Sequence, residues 1–186
     1  DAEHGADIAQ HQRADAHAQR PRRIVAEIEA EVAKAPFPAK QVMLSGLADA
    51  YWGYYQNNRW KIQQRTETMD VDAADPATWD AAKFSEKVSA LYLQSLQPAD
   101  SLKRTPVEVF DAVILQGRRR DLRPTLYDLL AHRAADFFKN TEAGLTQPAD
   151  KFYMDNPRLL GLSEKFVTTQ LQHTDSSNFK LIALQK

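Results

Sequence analysis

Between Leu44 and Ile62 the chain reads LSGLADAYWGYYQNNRWKI, its densest block of large side chains. Leu44, Leu47, Ala48, Tyr51, Tyr55, Asn58, Arg59 and Ile62 recur at the i, i+3, i+4, i+7 spacing of one helical face, with Trp52 and Tyr54 beside it. A helix so rich in rings must be wrapped by other elements, because aromatic side chains bury large areas and dominate core energetics. The block is therefore expected to be the central helix of an all-helical domain. Its alternative use is as a binding platform.

The 186 residues are enough for one large domain that buries about two thirds of the surface its unfolded chain exposes. Six glycines are too few for a turn-rich all-β fold, so an all-α fold without a sheet is expected. A net charge of −1 supplies no field to draw in nucleic acid or an anionic membrane, and neither is expected as a partner. The absence of cysteine excludes disulfides, thiolate metal sites and a cysteine nucleophile. No apolar run approaches the roughly 20 residues that span a bilayer, so direct membrane insertion is not expected. The chain opens at Asp1 without an initiator Met, as a processed chain or a piece of a longer one would.

Residues 1–20 hold one aliphatic side chain larger than alanine, Ile8, and are expected to form a polar leader, loosely helical or disordered. Residues 21–186 then form one helical domain. Pro21 opens a first helix whose stripe is Ile24, Val25, Ile28, Val32 and Ala35, ended by the Pro36-Phe37-Pro38 corner. The aromatic helix follows from about Ala39 to Arg65 as its antiparallel partner. An acidic linker at 66–77 leads to Asp75, a cap with Pro76 behind it, and to a third helix reaching Gln97 with Phe84, Val88, Leu91, Tyr92 and Ser95 on its inner face. Thr105-Pro-Val-Glu108 has the pattern of a capping box, so a short fourth helix carrying Val109, Phe110, Val113 and Ile114 is expected up to Gly117. Leu126, Leu129, Leu130, Ala134 and Phe137 mark a further helix, and short turns and helical pieces precede a last one that starts near Asp175 and carries Phe179, Ile182 and Ala183. Ending inside that helix, the chain is expected to be truncated at its C-terminus. The whole reads as an irregular array of antiparallel helical hairpins, tetratricopeptide-like but without a sequence repeat of fixed period.

Candidate chemistry is sparse. His4, His11 and His17 are spaced by seven and six residues, which does not place metal ligands on one helical face, so no metal site is expected. Gly117-Arg118-Arg119-Arg120, with Lys103, Arg104 and Arg123, is the one basic cluster, and it lacks the aromatic interleaving of a nucleic-acid surface. His132 has Asp128 four residues before and Asp136 four after, but one helix supplies neither a pocket nor a second positioned group. No GxSxG, HExxH or phosphate-cradling glycine loop is present, so no catalytic residue and no cofactor are assigned. The candidate binding residues are Tyr55, Asn57, Asn58, Arg59 and Trp60. Inside a packed array the amides and the guanidinium would need hydrogen-bond partners, so they are expected to brace the core against loop carbonyls or the acidic linker in preference to binding a ligand.

YWGYYQNNRW at 51–60, ATWDAAKF at 77–84, RPTLYDLLAHRAADFF at 123–138 and EAGLTQPADKF at 142–152 together resemble the N-terminal helical region of the alpha-2-macroglobulin-like proteins of Bacteroidetes-type bacteria. The resemblance covers about Pro36 to the C-terminus. It implies a parent that is exported to the periplasm or cell surface, built from many β-sandwich domains and engaged in trapping or inhibiting proteases. This chain would be a non-enzymatic scaffold or interaction module whose partners are other domains of the same polypeptide and, through the parent, a protease or envelope protein. The thioester of such proteins needs a cysteine and cannot lie here. The alternative is a freestanding tetratricopeptide-like domain that binds a peptide or protein.

Overall fold

A computed structural model describes residues 25–64, 72, 75–115, 120–140, 152, 157–172 and 176–185. Among them the regular structure is helical, and the fold is all-α without a sheet. The helices are α1 (25–34), α2 (Ala39–Gln63), α3 (Ala81–Ser95), α4 (Ala99–Arg104), α5 (Leu126–Lys139), α6 (Ser163–Thr168) and α7 (Ser177–Gln185). The leader at 1–20 and most of the acidic linker lie outside the described residues.

The α2 stripe packs as its spacing requires: Leu44, Leu47, Ala48, Tyr51, Tyr55 and Ile62 are buried. Its main partner is α3, and the contacts fix the direction. Gln41 meets Gln97, Asp49 meets Tyr92, and Tyr55 meets Phe84, so α3 runs antiparallel to α2. Helix α5 packs on both, with Trp52 edge-on to Phe137 at 5.0 Å and Tyr92 against the same ring at 5.4 Å. Each fully buried Phe or Leu in this layer stabilises the fold by about 1.5–3 kcal/mol relative to an exposed one.

The third helix is shorter than its periodicity implied. Asp75 does cap, accepting from the Ala77 amide at 3.0 Å, but only the 3₁₀ turn Pro76–Thr78 follows. Trp79 is extended, and Asp80 caps α3 afresh by accepting the Lys83 amide at 2.7 Å. The break serves packing. It drops the Trp79 indole into the core, stacked on Tyr51 at 5.2 Å and 16°, with Nε1–H donated to the Asp72 carbonyl at 3.0 Å. The inner face of α3 is as expected: Phe84, Val88, Leu91, Tyr92 and Ser95 are buried.

The expected fourth helix at 105–117 does not form. Thr105 ends α4, turns its hydroxyl back to the Ser101 carbonyl at 2.9 Å and caps no following helix. Thr105 and Pro106 are instead extended, and the segment pairs with 124–126: Leu126 N–H donates to Thr105 O at 2.8 Å and Val107 N–H to Pro124 O at 3.1 Å. This isolated bridge joins Pro106 to Thr125. Beyond it lie a 3₁₀ turn, Val107–Phe110, and irregular turns. Val107 is buried and Phe110 packs on the core, whereas Val109 and Val113 are exposed. The capping box belongs to α5, where Thr125 and Asp128 each bind the other's backbone amide.

Helix α5 buries Leu126, Leu130, Ala134 and Phe137, with Leu129 half-buried. Helix α7 lies on α5 and buries Leu181 and Ile182. Its Lys180 reaches back to the Ser89 hydroxyl of α3 at 3.1 Å.

Candidate functional site

The candidate residues at the end of α2 do not act as one group. Tyr55 is buried, stacked on Trp52 at 5.0 Å and tilted against Phe84 at 5.8 Å, and its hydroxyl accepts from Gln63 Nε2 at 3.4 Å. Asn58 is half-buried and donates Nδ2–H to the Tyr54 carbonyl of its own helix at 2.9 Å. Most of the acidic linker against which this insert is expected to brace lies outside the described residues, and Asn57, Arg59 and Trp60 are exposed. The cause is register. Phe84, in the first turn of α3, already lies against Tyr54 and Tyr55, so α2 outruns its partner beyond that point and only Ile62 stays in the core.

Trp60 follows Tyr55 by five residues, about 140° around the helix, and so points away from the core. It is 77% exposed, while Trp79 is 2% exposed and Trp52 packs on the core cluster. Gly46, Ala50 and Asn57 share this outer side of α2 and are exposed as well. The Asn57 side chain has no hydrogen-bond partner among the described residues.

Two carboxylates hold the helices together, and periodicity within single helices gave no sign of them. Glu29 of α1 accepts the Tyr51 hydroxyl at 3.0 Å and pairs with Lys87 of α3 at 2.8 Å. Asp49 of α2 accepts the Tyr92 hydroxyl and pairs with Arg133 of α5. Burial, helped by the negative charge of Asp136, pushes Tyr92 up to about 12. Burial followed by the charge and hydrogen bond of Glu29 raises Tyr51 well above the usual phenol range. Both phenols are thus held as protonated donors at neutral pH, the opposite of what a base or nucleophile requires. Burial also lowers the pKa of Arg133.

The histidine constellation is not assembled. The Asp128 carboxylate is committed to Thr125, at 3.0 Å from its amide and 2.7 Å from its hydroxyl. His132 is exposed, with Nδ1 2.8 Å from the Asp128 carbonyl, and Asp136 pairs with Lys139 at 3.5 Å. Of the basic cluster, 116–119 lie outside the described residues. Arg104 and Arg123 are exposed, and Lys103 lies 4.9 Å over the Tyr127 ring. Among the described residues no group of His, Asp or Glu could hold a metal ion, and no helix is long and apolar enough to cross a membrane. The histidines at 4, 11 and 17 fall outside them. Compared with protein-family models, curated proteins and solved structures, the chain matches none.

Proposed function

We propose that this chain is a non-enzymatic helical scaffold and interaction module whose contact face is the outer side of α2 around Asn57 and Trp60. The observation that carries the reading is the position of Trp60, 77% exposed at the end of a helix whose other rings are all used in packing. An indole in water forgoes a large hydrophobic gain, and tryptophan is the residue most enriched where a few contacts dominate a protein interface. The ionic groups support the same reading: Glu29 and Asp49 are spent on joining helices, and among the described residues no acid, base and nucleophile converge. The packing of α5 on both helices of the α2–α3 hairpin is in keeping with a tetratricopeptide-like stack.

The ordered resemblance of four sequence blocks makes an exported alpha-2-macroglobulin-like parent the proposed setting, with protease trapping at the cell envelope as the parent's activity. Other domains of that polypeptide are the proposed partners of the α2 face. The coding sequence past Lys186 tests the setting: tandem β-rich domains support it, and an adjacent stop codon overturns it. The face itself is tested with Trp60→Glu in the complete natural protein. The isolated module should keep its circular dichroism spectrum, while in the complete protein Trp60 should be shielded from acrylamide and the substitution should expose the module to limited proteolysis. Equal quenching of Trp60 in the module and in the complete protein would remove the face from the proposal.

A further inference from the structure

We draw no further inference here: the strongest candidate, the exposed aliphatic side chains Val109, Val113, Leu115 and Leu122 of the connection between α4 and α5, is an unpartnered apolar face, and nothing in the structure shows what covers it.

Discussion

Tyr92 of α3 donates its hydroxyl to Asp49 of α2, and Arg133 of α5 closes on the same carboxylate. One side chain thereby ties three helices. The Arg133 and Asp49 side chains remain 38% and 47% exposed, so the ion pair itself is worth at most about 1 kcal/mol. The hydrogen bond from a buried phenol to a charged acceptor is the larger part, at about 1.5–3 kcal/mol. Asp49→Ala should lower unfolding free energy in urea by about 2 kcal/mol. An Asp49→Ala, Arg133→Met double-mutant cycle should return a coupling below about 1 kcal/mol. A coupling several times larger would show that the ion pair, and not the phenol, dominates.

Alkaline pH should loosen the same contacts. Tyr92 ionises near 12 in the fold against 10.0 for a free phenol, and Tyr51 is raised too. A raised folded-state pKa means that the unfolded chain loses its proton first, so the stability is complete below about pH 10 and is lost as pH climbs through the folded values. Denaturation midpoints should therefore fall steadily above about pH 10. Tyrosinate absorbance should show Tyr51 and Tyr92 ionising late, and Tyr92→Phe should remove one late phenol. A titration in which all the tyrosines ionise together would contradict this.

The two exposed and buried tryptophans should respond in opposite ways. Trp79 fills the α2–α3 core against Tyr51 and Phe84, so Trp79→Ala should cost about 3–5 kcal/mol. Trp60→Ala should change stability by no more than about 0.5 kcal/mol. Urea denaturation followed by circular dichroism measures both. A large loss at Trp60 would mean that its ring is structural.

Capping can be tested at two positions that look alike in sequence. Thr125→Ala removes the α5 capping box and should cost about 1 kcal/mol. Glu108 follows Thr105 with the same spacing but is exposed in a 3₁₀ turn, so Glu108→Ala should cost less than about 0.5 kcal/mol. If Glu108→Ala proved the more damaging of the two, a helix would start at Thr105 after all.

Much of this architecture was legible because helical spacing directly encodes which side faces a neighbour. The stripe from Leu44 to Tyr55, the α3 face from Phe84 to Ser95 and the α5 face from Leu126 to Phe137 all pack as their periodicity implies. The misses arise where tertiary packing overrides local signals. Thr105-Pro-Val-Glu is a sound local start, yet the backbone there is drawn into pairing with Pro124 and Leu126. Trp79 lies within the span expected to be helical, but stacking on Tyr51 breaks the helix around it. At the candidate face, periodicity placed Arg59 with the buried stripe because a sequence does not reveal how far α2 outruns α3. The cross-helix ties at Glu29 and Asp49 were invisible for a related reason: Tyr92 is 43 residues from its acceptor, and no pattern within one helix connects them.

The bridge between Pro106 and Thr125 has a consequence for how this chain tolerates change in length. It clamps together the two ends of an excursion whose inner residues, Val107 and Phe110, are anchored while the turn after them is exposed. Closing a longer loop between clamped ends costs little, about 0.6 kcal/mol for each doubling of its length. Extra residues inserted after Phe110 would leave α4 and α5 in register, because the clamp and not the loop sets their spacing. That turn is therefore the place at which a reporter peptide could be spliced into the chain, or at which related chains could diverge in length, without disturbing the helical core.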